Sequence, residues 1–270
     1  MMEKLLLMTD LHICAPGEQI IGLDPSARLQ AALDAALADH ADASALILMG
    51  DLTHHGLAIE YAELKRLIDP LPIPVIPMLG NHDRREAFLE IFPDAPQTRH
   101  GHIQHKRDLM HHRIITLDTL DGPPYPKGHH AGRLCPDRMH FLRNAIAGAD
   151  GKAPLVFAHH PPFRTGILGM DLIRLAGGQA LLDTLSSITN SHLFCGHIHR
   201  TISGSTSGVP WTMLKSTCHQ GVLDFDDPDS TLSVDEPGSY GVVCLTRDSV
   251  VVHSEDIGQK PEIQRDAHSG

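Results

Sequence analysis

Five short apolar runs divide the first 200 residues of the chain, and each run stops abruptly at charged or polar residues. The runs occupy residues 4–8, 45–49, 73–77, 155–158 and 192–195. Continuous apolar runs of this length are typical of strands that are buried on both faces. Apolar spacing and proline boundaries predict helices over residues 26–40, 57–68, 84–91, 136–147 and 172–187. This alternation predicts β-α-β units around a largely parallel sheet.

The pattern changes after residue 200. Residues 201–205, 211–214, 241–245 and 250–253 read as strands joined by turns, and residues 101–118 as a hairpin. We therefore expect an α/β fold with mixed sheets, in which a two-sheet β-sandwich is flanked by helices. Residues 1–200 would form the core. Residues 201–258 would complete the second sheet and carry a candidate oligomerisation element, and residues 259–270 would form a flexible tail.

Composition narrows the class of protein. With 270 residues, 41% of them hydrophobic, the chain is long enough to bury a sizeable core. No run of about eighteen apolar residues is present, so we expect no membrane span, and no secretory signal is visible. Five scattered cysteines without C-x-x-C spacing favour reduced thiols and a cytoplasmic location. The net charge of −11 and the dispersed basic residues argue against a duplex nucleic-acid partner.

Residue types that bind metals follow all five apolar runs. The motifs are Asp10-Leu11-His12, Gly50-Asp51, Gly80-Asn81-His82-Asp83, His159-His160-Pro161-Pro162 and Gly196-His197-Ile198-His199. Because the carboxyl ends of neighbouring strands meet at one edge of a sheet, we expect these side chains to share one site. Alternate side chains of an extended backbone point the same way, so Asp10 pairs with His12 and His197 with His199.

The candidate metal ligands are two carboxylates, one amide oxygen and four imidazoles. They are Asp10, His12, Asp51, Asn81, His159, His197 and His199. Nitrogen and oxygen donors suit Mn, Fe, Co, Ni or Zn. Seven ligands are too many for one ion that keeps an open position, so we expect a cofactor of two divalent transition-metal ions (manganese, iron, zinc or cobalt) that share a carboxylate. Two ions roughly 3.5–4 Å apart can activate water and stabilise the attacking and leaving oxygens of a phosphoester.

The same motif series resembles the calcineurin-like metallophosphoesterases over residues 5–199. It is most similar to the bacterial class III cyclic-nucleotide phosphodiesterases and the related glycerophosphodiesterases. The resemblance implies a helix-flanked β-sandwich whose catalytic core lies within residues 1–200. It also implies two metal sites: one held by Asp10, His12, Asp51 and His199, the other by Asp51, Asn81, His159 and His197, with Asp51 bridging.

The resemblance further implies roles for residues near the metals. His82 would be a catalytic residue that contacts the phosphate or protonates the departing oxygen, and His219 would reach the substrate. His160 would not be a ligand, and Asp83 would orient His82 or its loop. His129 and His130 lie on a Gly- and Pro-rich loop, where a place at the pocket and a solvated position are both open.

The expected function is a dinuclear metal-dependent phosphodiesterase in which a metal-bound hydroxide attacks phosphorus. Its substrates would be small phosphodiesters, either cyclic nucleotides or glycerophosphodiesters. A phosphomonoesterase or a nucleotide-diphosphate hydrolase of the same superfamily is an alternative, and a non-catalytic metal-binding scaffold is another. The strand-rich C-terminal part favours a homo-oligomer.

Overall fold

Two β-sheets stack face to face and carry helices on their outer faces. The computed structural model describes residues 2–125 and 127–258. The first half of the chain contains β1 (Glu3–Met8), α1 (Pro25–His40), β2 (Ala45–Met49), α2 (Ala58–Ile68), β3 (Val75–Met78), α3 (Arg85–Ile91), β4 (His105–Asp108) and β5 (His112–Leu117).

The second half contains more strands than helices. Its elements are α4 (Pro136–Ala147), β6 (Ala153–Ala158), α5 (Leu168–Leu172), α6 (Gln179–Ser186), β7 (His192–Cys195), β8 (Ile202–Thr206), β9 (Val209–Met213), β10 (Gln220–Gly221), β11 (Ser233–Val234), β12 (Ser239–Thr246) and β13 (Ser249–Asp256). Asp24 caps α1 by accepting a hydrogen bond from the Ala27 N–H at 3.1 Å, which satisfies one free backbone donor of the first turn.

Both large sheets are mixed: the five-stranded sheet is antiparallel at one edge and parallel at the other, and the six-stranded sheet has a parallel centre and two antiparallel edges. The five-stranded sheet has the order β13-β12-β1-β2-β3, and the six-stranded sheet has the order β4-β5-β6-β7-β9-β8. In the first sheet β1, β2 and β3 run parallel, while β12 pairs antiparallel with β1. In the second sheet β5, β6, β7 and β9 run parallel. The carboxyl ends of the parallel strands therefore lie together at one edge of each sheet.

The core has three layers. Side chains from the facing surfaces of the sheets, such as Leu5 and Ile47 from one sheet and Phe157 and Phe194 from the other, form the middle layer. The Phe157 and Phe194 rings stack there with centroids 4.7 Å apart. Helices α1, α2 and α3 cover the outer face of the first sheet. Helices α4 and α6 cover the outer face of the second sheet. The predicted helix-flanked sandwich with mixed sheets is confirmed.

The prediction of one helix over residues 172–187 was wrong. The structure has α5 and α6 with a break between them. Within the break, the Leu175 N–H donates to the Pro161 carbonyl and the Ala176 N–H to the Gly132 carbonyl instead of to a helical turn. Gly177 follows with φ of +69°, a left-handed conformation that an α-helix does not accommodate.

The strands after residue 200 divide between the two sheets, whereas we expected residues 201–258 to complete the second one. Strands β8 and β9 extend the six-stranded sheet, but β12 and β13 extend the five-stranded sheet. The apolar strand β1 is buried, so its backbone needs partners on both sides. β2 supplies one partner and β12 the other. The predicted flexible tail at 259–270 lies outside the described residues.

Within residues 2–125 and 127–258, no helix combines the length and the apolar character needed to cross a bilayer.

β13 forms one edge of the five-stranded sheet. Edge strands present free backbone groups to other chains, and the homo-oligomer stays a prediction.

Candidate metal centre

The carboxyl ends of the central strands bring all seven predicted ligands into one region. Asp10 and His12 follow β1, Asp51 follows β2 and Asn81 follows β3, all in the first sheet. The second sheet contributes His159 after β6, and His197 and His199 after β7. Each of these residues is at most 9% exposed. The site is thus a buried seam between the ends of the two sheets.

The first group of donors contains Asp10, His12, Asp51 and His199. Their ligand atoms all lie within 4.8 Å of one another. The Nε2 atoms of His12 and His199 are 3.1 Å apart, and His199 Nε2 is 3.3 Å from Asp10 Oδ1. His12 Nε2 is 3.7 Å from Asp51 Oδ2. These are the four residues assigned to one metal by the resemblance.

The second group of donors is centred on His159. Its Nε2 lies 3.3 Å from Asp51 Oδ2 and 3.3 Å from Asn81 Oδ1. The His197 ring is next to it, with the ring centroids 5.2 Å apart. Since Asp51 Oδ2 faces both His12 and His159, this carboxylate lies between the two groups.

Outward hydrogen bonds fix which imidazole nitrogen faces the site. His159 Nδ1 donates to the Met49 carbonyl at 2.9 Å, and His199 Nδ1 donates to the His219 carbonyl at 2.8 Å. His197 Nε2 lies 3.2 Å from the Ile173 carbonyl. A carbonyl only accepts, so the nitrogen that faces it carries a proton, and the other nitrogen of each ring is the one that faces the site. This second layer of contacts is typical of metal-binding histidines.

The converging atoms are carboxylate and amide oxygens and imidazole nitrogens, an arrangement that a bound proton or metal ion stabilises. Burial alone would lower the pKa of His159, but Asp51 and Asp10 raise it to about 9. Burial alone would raise the pKa of Asp51, yet His159 and His82 hold it well below its usual value. Both shifts show how strongly the site attracts positive charge. Nitrogen and oxygen donors without thiolates fit divalent transition metals.

The backbone around the donors is strained in a consistent way. Asp10, His12, Asp51, His197 and His199 all have left-handed φ values, between 46° and 73°. Such conformations are uncommon for residues with a Cβ and cluster at functional sites. Gly50 precedes Asp51 with φ of +95°, and a Cβ there would overlap the His159 ring. The glycine is required by this close approach as well as by its φ.

The loop after β3 places His82 beside the donors. The backbone N–H of His82 donates to Asp51 Oδ1 at 2.9 Å. The ring Nδ1 of His82 donates to the His54 carbonyl at 2.8 Å. The ring therefore presents Nε2, and its centroid lies 4.7 Å from that of His12. Asp83 is fully buried and accepts from Gly80 N at 2.8 Å and Tyr61 Oη at 2.9 Å, so its carboxylate organises this loop.

His219 packs against His12 and His199. Its ring centroid is 4.9 Å from that of His12 and 4.7 Å from that of His199. The side chain is 7% exposed, and its Nδ1 has no hydrogen-bond partner among the residues that the structure describes. Burial and His199 lower the pKa of His219 to about 3, so the ring is neutral. The structure thus brings His219 to the site, next to ligands of the first group.

Two histidines outside the predicted set also border the site. His54 Nδ1 lies 3.3 Å from His12 Nδ1, and its ring stacks on His82 with centroids 5.2 Å apart. His130 Nδ1 accepts from Asn81 Nδ2 at 3.0 Å, and this ring also stacks on His82. His129 pairs with Asp121 at 3.3 Å instead, and its side chain is 42% exposed. His54 follows the Gly50-Asp51 motif closely, which is the one signal that could have identified it.

Both nitrogens of the His160 ring are occupied outside the donor groups. Nδ1 pairs with Thr119 Oγ1 at 2.7 Å, and Nε2 donates to the His130 carbonyl at 3.0 Å. The ring packs on His197 with centroids 4.6 Å apart. His160 therefore supports its neighbours and has no free lone pair for an ion.

Comparison with known proteins gives matches over most of the chain. The sequence profile of the family described as calcineurin-like phosphoesterase matches residues 3–201. A probable cyclic nucleotide phosphodiesterase from Rhodopseudomonas palustris is 38% identical over 93% of this chain and 91% of its own length. A probable glycerophosphodiester phosphodiesterase from Arcobacter nitrofigilis is 29% identical over 79% of this chain and 78% of its own.

The fold also has a match among solved structures. The purple acid phosphatase from yellow lupin seeds superposes with a TM-score of 0.69 and 14% identity, over 95% of this chain and 52% of that one. A likeness at this identity concerns the fold alone. The family match and the identity to the Rhodopseudomonas relative together establish that the chain belongs to the calcineurin-like phosphoesterases, a family of metal-dependent phosphoester hydrolases.

Proposed function

We propose that this protein hydrolyses small phosphodiesters, cyclic nucleotides or glycerophosphodiesters, at a site that holds two divalent metal ions. The observation that carries the proposal is the position of Asp51 Oδ2, which is 3.7 Å from His12 Nε2 and 3.3 Å from His159 Nε2. One carboxylate oxygen thus faces both groups of donors. The diester substrates are suggested by the names of the relatives, which include both substrate classes.

The donors divide into two sets in this proposal. Asp10, His12, Asp51 and His199 would hold one ion, while Asp51, Asn81, His159 and His197 would hold the other. When bound, two divalent ions would supply positive charge for the transition state and lower the pKa of a water molecule. The strained backbone holds the carboxylates and imidazoles in place beforehand, so the site reorganises little during the reaction.

His82 is the residue that acts on the substrate. Its Nδ1 donates to the His54 carbonyl, so Nε2 is the nitrogen left for a substrate. A protonated Nε2 can donate to a phosphoryl oxygen or protonate the departing alkoxide. The neutral His219 ring, which packs against His12, supplies a contact for the rest of the substrate.

Two aryl substrates separate this proposal from its rivals. Metal-loaded protein should hydrolyse bis(p-nitrophenyl) phosphate faster than p-nitrophenyl phosphate, and metal analysis should find two ions per chain. A phosphomonoesterase would show the opposite preference, and a scaffold would turn over neither ester. Comparing cyclic AMP with glycerophosphoethanolamine then distinguishes the two diester classes.

Asn81→Ala tests the assignment of the second ion. Removal of the amide oxygen should reduce the metal content from two ions per chain towards one and lower diester turnover. Asn144→Ala is the matched control, because Asn144 is exposed on α4 and pairs only with His140 among the described residues. Unchanged metal content and rate in Asn81→Ala would contradict the assignment.

A further inference from the structure

The outward contact of His12 differs from those of the other imidazole donors. His159, His197 and His199 each turn their second nitrogen to a backbone carbonyl. The second nitrogen of His12, Nδ1, lies 3.3 Å from Nδ1 of the His54 side chain. Within the part of the chain that the structure describes, His12 is thus the predicted imidazole ligand that a side chain orients. A substitution outside the ligand set can therefore change its orientation.

The contact between His12 and His54 needs one donor and one acceptor. His12 Nε2 faces the site, 3.7 Å from Asp51 Oδ2 and 3.1 Å from His199 Nε2. An imidazole that binds an ion through Nε2 keeps its proton on Nδ1. His12 Nδ1 then donates the hydrogen bond, and His54 Nδ1 accepts it. Such an outward contact fixes the ring orientation of a metal-binding histidine.

His54 also holds His82, in two ways. The backbone carbonyl of His54 accepts a hydrogen bond from His82 Nδ1 at 2.8 Å. The His54 ring stacks on the His82 ring, with the centroids 5.2 Å apart and the planes 19° from parallel. The His130 ring also stacks on His82, at 5.2 Å and 27°. These ring contacts limit rotation of the His82 side chain, so that its Nε2 keeps one direction.

The position of His54 is fixed by neighbours outside the donor groups. Its backbone N–H donates to the Ile13 carbonyl at 3.0 Å. The His55 ring meets the His54 ring edge to face, with the centroids 4.6 Å apart. His55 is held in turn by Glu60, whose fully buried carboxylate lies 2.8 Å from His55 Nδ1. His54 therefore has a firm support from which to orient other residues.

We propose that His54 is a positioning residue that orients the ligand His12 through its Nδ1 and the catalytic residue His82 through its ring. The inference rests on the proposed function, which assigns those roles to His12 and His82. The two contacts use different features of one side chain, a nitrogen acceptor in one case and an aromatic face in the other. They can therefore be removed separately.

Two substitutions at His54 separate the contacts. Asn carries an oxygen acceptor at the δ1 position but has no ring, so His54→Asn keeps an acceptor for His12 and loses the stack on His82. Phe has an aromatic ring of comparable size but no acceptor. His54→Phe therefore keeps the stack and leaves His12 Nδ1 without its partner. His253→Asn and His253→Phe are the matched controls, because His253 is exposed on β13.

His54→Phe should bind one of the two ions roughly 10-fold or more weakly than the natural protein does. Metal content after dialysis against graded chelator concentrations measures this loss. With saturating metal, its kcat for bis(p-nitrophenyl) phosphate should stay close to that of the natural protein, because His82 keeps its orientation.

His54→Asn should show the reverse pattern. It should retain both ions at the same chelator concentrations as the natural protein. Its kcat should fall roughly 10-fold or more with KM nearly unchanged, because His82 acts in the chemical step. A merely structural role of His54 would not separate metal affinity from kcat in this way.

Parallel losses of metal affinity and kcat in both variants would overturn the proposal. Values equal to those of the two His253 controls would overturn it as well. The proposed function is tested by the natural protein in the same experiment. If that protein bound fewer than two ions or left the diester intact, the proposed function would fail, and with it this role of His54.

Discussion

At the scale of single residues, the contacts behind the ligands are as informative as the ligands themselves. The motifs predicted seven side chains that the structure brings together, because short runs of sequence carry them. His130 could not be chosen over His129 from the sequence, because the choice depends on which ring turns towards Asn81. The Asn81 side chain carries an oxygen that can bind an ion and an NH₂ group that can only donate hydrogen bonds. The hydrogen bond from Nδ2 to His130 directs the oxygen to the site.

His130→Ala should therefore weaken metal binding although His130 is not a proposed ligand. Loss of a second-layer contact commonly reduces metal affinity by about 10- to 100-fold. Metal content after dialysis against graded chelator concentrations measures the effect. His129→Ala is the control, because the adjacent His129 ring pairs with Asp121 and is 42% exposed. Equal retention of metal by both variants would refute the role of His130.

A histidine far from the site should make the protein sensitive to acid. Burial lowers the pKa of His192 to about 4, while the unfolded chain has a value near 6.5. The unfolded state thus binds a proton that the folded state excludes. The stability associated with this group is fully present above pH 6.5 and is lost as the pH falls towards 4, at up to about 1.4 kcal/mol per pH unit.

His192→Gln should therefore lose less stability than the natural protein between pH 7 and pH 5. Urea denaturation at the two pH values measures the difference in the free energy of unfolding. His253→Gln changes an exposed histidine on β13 and should behave like the natural protein. An identical pH dependence in all three proteins would contradict the assigned shift.

At the scale of elements, strands were easier to predict than their partners. Apolar runs such as that of β1 are local, so periodicity identifies them. Pairing of β12 with β1 joins Leu5 to Val243 and has no local signal. The break between α5 and α6 has a local sequence signal, the pair Gly177-Gly178. The break also depends on the backbone carbonyls of Pro161 and Gly132, which are distant in sequence.

The turns that follow the strands should tolerate substitution very unequally. Gly50 and Gly17 have similar φ values, +95° and +91°, but a Cβ at Gly50 overlaps the His159 ring whereas a Cβ at Gly17 has no neighbour within 4 Å among the described residues. Gly17→Ala should cost about 1–2 kcal/mol from its left-handed backbone. Gly50→Ala should cost about 1–3 kcal/mol more from overpacking, and should also reduce metal content.

Urea denaturation and metal analysis of the two variants check this expectation. If Gly17→Ala and Gly50→Ala were destabilised equally, backbone strain alone would explain the loss of stability in Gly50→Ala. Normal metal content in a destabilised Gly50→Ala would mean that the His159 ring moves without losing its ion.

At the scale of the whole molecule, the donors connect two sheets that come from different parts of the chain. Asp10, His12, Asp51 and Asn81 belong to the first sheet, while His159, His197 and His199 belong to the second. An ion bound by donors from both sheets stabilises the folded state, because the unfolded chain does not bring these donors together.

Removal of metal should therefore lower the melting temperature in a concentration-dependent way. When the free metal concentration is 100 times the Kd of one site, binding at that site adds about 2.7 kcal/mol to the free energy of unfolding. Thermal melts after chelation and after titration with manganese or zinc measure the shift. Asp51→Asn, which weakens the shared donor, should reduce the response to added metal. The same melting temperature with and without metal would count against ions that link the sheets.

The pairing of β1 with β12 has a consequence for the order of events during synthesis. The ribosome releases β1 early, together with Asp10 and His12, but the strand that completes its sheet emerges only when most of the polypeptide has been made. Until then one edge of β1 lacks its neighbour. His197 and His199 are also late, because they are translated only shortly before β12. A nascent chain therefore acquires its full metal-binding geometry late, after translation has supplied β12.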